Sequence, residues 1–252
     1  MIQINNVSQA YGDSVVVDNV TATLPSGGLT SIIGPNGAGK STLLGLISRL
    51  QPLQEGTISV GGLDVSSTPS KTLAKTLAIL RQENQVSLRL RVRDLVAFGR
   101  FPHTGGHPTA ADRDHVERAL ARLDLLELAD RYLDQLSGGQ RQRAFIAMVL
   151  AQDTDYVLLD EPLNNLDMAH SVEMMRLMRT LADQDGKTVV VVLHDINFAS
   201  SYSDTILALR DGAVAAQGSP AEIMQTPVLR EIYDMDIPIH EIDGKRIGVY
   251  FS

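Results

Sequence analysis

The spacing of apolar residues along the chain changes between the period of a strand and the period of a helix. Apolar and polar residues alternate over residues 2–24, which predicts antiparallel strands near the N-terminus. The segments 29–33, 156–161 and 188–193 are mostly apolar, which is typical of strands buried on both faces of a parallel sheet. We therefore expect an α/β protein with a mainly parallel sheet and an antiparallel β subdomain at its start.

Residues 92–100 and 110–128 carry apolar side chains at helical spacing, and residues 101–109 between them contain proline and glycine and are predicted to form a loop. A further apolar helix is expected over residues 141–151. Because these helices interrupt an alternation of strand and helix, we expect an inserted α-helical subdomain from about residue 88 to residue 151, written below as residues 88–151.

The length of 252 residues suits one large α/β domain. We expect a single domain over residues 1–252, in which residues 1–87 and 152–252 form the core with the β subdomain. The net charge of −8 argues against a broad nucleic-acid surface, which needs a basic face. The chain has no cysteine, so disulfides and thiolate metal sites are excluded.

Membrane insertion is not expected, because no run approaches the roughly 18 apolar residues that a span needs. The first residues show neither a basic leader nor an apolar segment, so we expect no signal peptide. These features predict a cytoplasmic protein that reaches a membrane through a partner.

A glycine-rich segment that matches G-x-x-x-x-G-K-[ST] lies between a predicted strand and a predicted helix. Glycines let backbone N–H groups face a phosphate, and the start of the helix adds free N–H donors. Lys40 can reach the β- and γ-phosphates, and the Ser41 hydroxyl can bind Mg²⁺. The predicted phosphate loop consists of Gly34, Pro35, Asn36, Gly37, Ala38, Gly39, Lys40, Ser41 and Thr42.

A second glycine-containing segment, Leu-Ser-Gly-Gly-Gln, directly precedes the helix predicted for residues 141–151. One interpretation is that a Ser-Gly-Gly sequence in this position caps the helix and has no further role. It can also bind an anion through free backbone N–H groups and the serine hydroxyl. The residues of this second candidate site are Ser137, Gly138, Gly139 and Gln140.

Polar residues follow two of the predicted buried strands. Asp160 and Glu161 end the first of them, and His194 follows the second. Ligands of open α/β sheets bind at the carboxyl ends of the strands. We expect Asp160 to hold Mg²⁺, Glu161 to polarise a water molecule and His194 to contact a γ-phosphate.

Taken in order, these motifs resemble those of the nucleotide-binding subunit of an ATP-binding cassette (ABC) transporter, over essentially all 252 residues. The resemblance implies a P-loop NTPase core with an inserted α-helical subdomain, with ATP and Mg²⁺ as ligands. The motifs that carry it are Tyr11, Gly34–Thr42, Gln82, Leu136–Gln140, Asp160-Glu161, Asp167 and His194.

The resemblance also implies a role for each motif. Glu161 is similar to the general base, and His194 to the switch histidine, with Lys40 and Gln82 completing the catalytic set. Ser41, Gln82 and Asp160 are then the residues around Mg²⁺.

Three further residues or segments gain a role only through the resemblance. Tyr11 is similar to the residue that stacks on adenine. Ser137–Gln140 is similar to the signature that caps the γ-phosphate bound in the opposite protomer. Asp167 is similar to the aspartate that crosses the dimer interface.

Three segments resemble importers of iron–siderophores, haem and cobalamin more closely: residues 92–103, 160–168 and 243–250. Within the second, Asn164 and Asn165 stand where many transporter ATPases have Thr-Ser or Thr-Asn. The resemblance implies uptake of an iron–siderophore complex, with a haem or cobalamin importer as the alternative.

The implied assembly is a homodimer that holds two ATP molecules and works with two transmembrane permease subunits. An extracytoplasmic substrate-binding protein acts indirectly, and no nucleic acid takes part. A soluble ABC ATPase of ribosomes or DNA usually carries tandem cassettes, a long insertion or basic arms, and a P-loop kinase would not need Leu136–Gln140. We expect import rather than export, because no membrane span is fused to the chain.

Overall fold

A six-stranded sheet runs through the centre of the fold in the order β10-β9-β3-β8-β7-β6. The computed structural model describes residues 1–82 and 88–251. The strands in chain order are β1 (Ile2–Tyr11), β2 (Ser14–Leu24), β3 (Gly28–Ile33), β4 (Glu55–Val60), β5 (Leu63–Asp64), β6 (Leu77–Leu80), β7 (Tyr156–Asp160), β8 (Thr188–Val192), β9 (Thr205–Arg210), β10 (Ala213–Gly218), β11 (Ile239–Ile242) and β12 (Lys245–Gly248).

The central sheet is parallel from β6 to β9, and only β10 pairs antiparallel, with β9. A second, antiparallel sheet has the order β2-β1-β4-β5, and β11 and β12 form a hairpin. The α/β class with a mainly parallel sheet and an antiparallel N-terminal sheet is therefore confirmed. The third strand of the N-terminal region, β3, lies between β8 and β9 in the parallel sheet.

Alternate residues of the central strands pack into different cores. Val189 and Val191 of β8 belong to a core formed with the helices on one face of the sheet. Val190 and Val192 belong to a second core, which also contains the N-terminal sheet. Both faces are covered, which explains why four consecutive valines follow Thr188 in this strand.

The helices in chain order are α1 (Lys40–Ile47), α2 (Ser70–Thr76), α3 (Val92–Phe98), α4 (Phe101–Thr104), α5 (Ala110–Arg122), α6 (Gly138–Ala151), α7 (Met168–Asp183), α8 (Ile196–Tyr202), α9 (Pro220–Ile223) and α10 (Thr226–Tyr233). Short 3₁₀ helices cover Leu126–Leu128 and Leu133–Gln135. No helix in the described ranges is long and apolar enough to cross a bilayer.

The predicted helical insertion contains α3, α5 and α6, which pack on one another. Two predictions there were wrong in detail. Residues 101–109 were predicted as loop, but α4 occupies the first part, with Pro102 in its first turn, where the missing N–H costs nothing. The helix predicted to extend to residue 128 ends at Arg122 and is followed by a 3₁₀ turn.

Candidate functional site

The phosphate loop joins β3 to α1, as predicted from its position between strand and helix. Gly34 has φ 141° and Gly39 has φ 92°, a region that favours glycine. A Cβ on Gly34 would lie 2.0 Å from the carbonyl oxygen of Leu209, and one on Gly39 would lie 2.5 Å from that of Val16. The loop can therefore keep this path only with glycine at both positions.

The Lys40 ammonium is buried beneath the loop. Its Nζ donates to the carbonyl oxygens of Gly34 and Pro35, at 2.8 Å each. Burial lowers the pKa of Lys40, while the nearby carboxylates of Glu161 and Asp160 act to raise it. The structure therefore brings the predicted lysine and both predicted carboxylates into one electrostatic cluster.

Ser41 and Asp160 meet at the carboxyl end of β7. The Ser41 hydroxyl donates to Asp160 Oδ1 at 2.9 Å. Burial raises the pKa of Asp160, and the hydrogen bond from Ser41 opposes that shift. Two neighbouring oxygen donors beside a phosphate loop fit the preference of Mg²⁺, which takes few protein ligands and completes its shell with phosphate oxygens and water.

The Glu161 carboxylate is 8% exposed and contacts side chains from three other positions. Its Oε2 accepts hydrogen bonds from Gln82 Nε2 and Asn164 Nδ2, each at 2.7 Å. His194 Nε2 lies 2.7 Å from Oε1. The backbone of Glu161 has φ 49°, which is rare outside glycine and fits a residue held in place by its surroundings.

A cavity of about 230 Å³ opens beside these residues. Its lining combines the phosphate loop with Gln82, Glu161 and His194, as predicted, and with Val16, which was not. The predicted residues from β3, β6, β7 and β8 thus meet at one edge of the central sheet. Sequence reasoning missed Val16, and it treated Asn164 as a departure from the usual motif rather than as a contact of Glu161.

Asp160 does not line this cavity but borders a second one of about 330 Å³, together with Ser41 and Gln82. Three further predicted site elements lie away from the 230 Å³ cavity. Tyr11 is exposed at the end of β1, and its hydroxyl donates to Gln51 Oε1. Asp167 caps α7, where it accepts from the backbone N–H of His170 at 2.9 Å. Hydrogen bonds from the backbone and side chain of His170 lower the pKa of Asp167.

The third element is the start of α6, Ser137–Gln140. The Ser137 hydroxyl accepts from the Gln140 N–H at 3.2 Å, and Gln140 Oε1 accepts from the Ser137 N–H at 3.1 Å. These two bonds form a capping box, so Ser137 caps α6, and the role of the segment in binding an anion stays a prediction. In the described part of the chain, no contact of this segment reaches the cavity.

Comparison with known proteins agrees with the motifs. Residues 17–164 match the family model described as "ABC transporter". The petrobactin import ATP-binding protein YclP of Bacillus subtilis (strain 168) is 56% identical over 252 residues, with all of both chains covered. The petrobactin import ATP-binding protein FatE of Bacillus anthracis is 52% identical, covering 99% of this chain and 100% of that protein.

Solved structures give the same result. The dimeric ATP-binding cassette MJ0796 bound to ADP and Pi is 31% identical with a TM-score of 0.78, covering 87% of this chain and 99% of that chain. A metal-chelate type ABC transporter in an inward-facing conformation is 25% identical with a TM-score of 0.84, covering 99% and 98%. The phosphate loop, the carboxylates at the end of β7 and these similarities together show that the chain belongs to the ABC transporter family and is an ATP-hydrolysing subunit.

Proposed function

We propose that the chain is the ATPase of an importer that takes up an iron–siderophore complex. The similarity to two petrobactin import proteins over the whole chain is the observation that carries this substrate class. Other relatives agree in class but not in compound. One is an iron(3+)-hydroxamate import protein of Bacillus subtilis at 39% identity, and another a ferric enterobactin transport protein of Escherichia coli at 41%.

In the proposed reaction, the backbone N–H groups of the loop and the Lys40 ammonium bind the phosphates of ATP. Ser41 and Asp160 would hold Mg²⁺, with Gln82 close by through its bond to Glu161. When bound, Mg²⁺ supplies positive charge that offsets the charge on the phosphate oxygens.

Glu161 is the proposed general base. Its carboxylate orients a water molecule towards the γ-phosphate and accepts the proton that the water releases. His194 lies 2.7 Å from the carboxylate and borders the same cavity, which supports a role in fixing the carboxylate and in contacting the γ-phosphate. Gln82 holds the opposite carboxylate oxygen.

The remaining site residues are proposed to act across a homodimer. Residues 88–151 form the helical subdomain and present Ser137–Gln140 to the ATP bound in the partner chain. Asp167 lies at the interface, and Tyr11 stacks on adenine. Support comes from the exposed positions of Ser137 and Tyr11 and from the dimeric state of the similar cassette MJ0796.

Two transmembrane permease subunits would place the dimer at the cytoplasmic face of the membrane, and an extracytoplasmic binding protein would deliver the substrate to them. A haem or cobalamin importer is the second candidate for the cargo. The resemblance of residues 92–103 covers all three importer groups, which is why this candidate is kept.

Uptake of labelled ferric siderophores, haem and cobalamin by cells that lack only this gene tests the proposal. We expect these cells to lose uptake of one ferric siderophore. The wild-type gene should restore that uptake, and the Lys40→Ala variant should not. Lys71→Ala, which changes an exposed lysine of α2, is the matched control and should restore uptake. Loss of haem or cobalamin uptake instead would favour the second candidate, and normal uptake of every compound would contradict the proposed cargo.

A further inference from the structure

The C-terminal hairpin of β11 and β12 packs on α8, the helix that begins directly after His194 and Asp195. Asp195 caps this helix by accepting from the backbone N–H of Asn197 at 2.7 Å. The Asn197 side chain then pairs with the hairpin in both directions. Its Nδ2 donates to the Gly248 carbonyl oxygen at 3.1 Å, and its Oδ1 accepts from the Gly248 N–H at 2.7 Å.

Further contacts follow along the same helix. Ser200 Oγ donates to the Arg246 carbonyl oxygen at 2.7 Å. Lys245 Nζ donates to the Ser201 carbonyl oxygen at 2.5 Å and lies 5.4 Å from the centre of the Tyr202 ring. The hairpin is therefore attached to α8 from its first turn to its last.

The fit between hairpin and helix is close at Gly248. A Cβ at this position would lie 2.9 Å from Ile196 Cδ1 and 3.0 Å from Ile237 Cγ2. Glycine lets the backbone of β12 approach the first turn of α8, two residues after His194.

The segment before the hairpin reaches the phosphate loop as well. The hydroxyl of Tyr233, at the end of α10, is buried. Among the described residues it has no partner at ordinary hydrogen-bond geometry. It faces the backbone N–H of Gly34, the first residue of the loop, and lies near Asp195. Residues 226–250 thus lie against both the start of the phosphate loop and the helix that follows His194.

We propose that residues 226–250 form a brace that sets the position of His194 through α8, with Asn197 as the positioning residue. This proposal rests on the proposed function, because it requires that His194 acts in ATP hydrolysis. A helix fixed at its first turn holds the residue before its cap within a small volume, and hydrolysis depends steeply on such placement.

A double-mutant cycle on the full-length protein tests the brace, using Asn197→Ala, His194→Ala and the double variant. We expect Asn197→Ala to lower kcat about tenfold and to change the KM for ATP less than about twofold. In the His194→Ala background, the same change should have almost no further effect on kcat. Gln217→Ala is the matched control, since it removes an amide hydrogen bond to the Thr23 carbonyl, between β10 and β2, and it should leave kcat unchanged.

Each result has a distinct meaning. If His194→Ala hydrolyses ATP at the wild-type rate, the proposed role of the histidine fails and the brace fails with it. If His194→Ala is slow but Asn197→Ala is unaffected, or lowers kcat equally in both backgrounds, only the brace is wrong. Should Asn197→Ala fail to fold, Ser200→Ala takes its place, because it removes a single contact of the brace. The proposal then requires that Ser200→Ala lower kcat about threefold, and that this loss disappear in the His194→Ala background.

Discussion

Two helix N-termini of this chain carry the glycine motifs, and they are built differently. The start of α1 follows Gly39 and has no side-chain cap, and Lys40 beneath it is buried at 5% exposure. The start of α6 is capped by Ser137, which is exposed. The uncapped helix faces a cavity bordered by Glu161 and His194, whereas no residue among 1–82 and 88–251 gives the capped helix such surroundings.

In the proposed dimer, the residues around the start of α1 form one half of a phosphate site, the complete half, and the start of α6 forms the other, the presented half, for the partner chain. At α1, free N–H donors, a lysine and two carboxylates are already close to one another. At α6, the two glycines lie beside the loop that follows Glu161, where a Cβ on Gly139 would lie 3.4 Å from Leu166 Cδ2. The proposed dimer, in which each α6 serves the partner's ATP, gives this second N-terminus a function.

The largest expected effect comes from damaging the two halves in separate chains. Glu161→Gln should still bind ATP and hydrolyse it about 10³-fold more slowly, because the base is lost while the phosphate loop remains. Ser137→Arg should be similarly slow, because it blocks the presented half. A mixture of the two should recover about a quarter of wild-type activity, since half of the dimers then contain one intact site. Steady-state phosphate release measures all three.

The matched control mixes Glu161→Gln with Lys40→Ala. Both changes lie in the same half, so every site of every dimer in this mixture is damaged and no activity should return. If the first mixture also stays inactive, α6 does not serve the partner's site, and the comparison between the two N-termini loses its functional meaning.

A smaller effect is expected from Asn164, which links the complete half to the segment next to α6. Asn164→Ala removes the 2.7 Å hydrogen bond to Glu161 Oε2 and should lower kcat about fivefold with the KM for ATP nearly unchanged. Gln142→Ala is the control, because Gln142 donates to the Pro162 carbonyl in the same loop without contacting the carboxylate. Equal losses in both variants would mean that Asn164 only stabilises the loop.

The sequence predicted the parts of the site that depend on local motifs and missed parts that depend on distant segments, for physical reasons. The phosphate loop, Asp160 and Glu161 follow from local patterns, because a glycine motif and an apolar strand each fix their own geometry. Helix α8 was missed, since its seven residues are held by a hairpin about 50 positions away. Likewise, no local pattern could place Val16 on the cavity, because that contact depends on how the N-terminal sheet packs.

Gln82 is the last described residue before a gap, since residues 83–87 lie outside the described residues. The roles of Tyr11, Ser137–Gln140 and Asp167 remain predictions, because they require a second chain. The features that the sequence missed, α8 and Val16, thus depend on distant segments of this chain. The roles that stay predictions depend on a partner.

The smallest effect on catalysis is expected where the helical insertion is held together. Arg100 donates to buried Asp112 at 3.0 Å, and Thr109 and Arg100 hold the pKa of Asp112 well below its usual range. A lowered pKa stabilises the fold above the unfolded value of about 3.9, and this contribution is lost as the pH falls below it. Asp112→Asn should therefore melt at a lower temperature than wild type at pH 7, and this gap in melting temperature should narrow below about pH 4. The rate of hydrolysis per folded molecule should change less than about twofold. Asp114→Asn, exposed on the same helix, should melt as wild type does. A gap that stays constant from pH 7 to pH 3 in thermal melts would show that the carboxylate's charge does not stabilise the insertion.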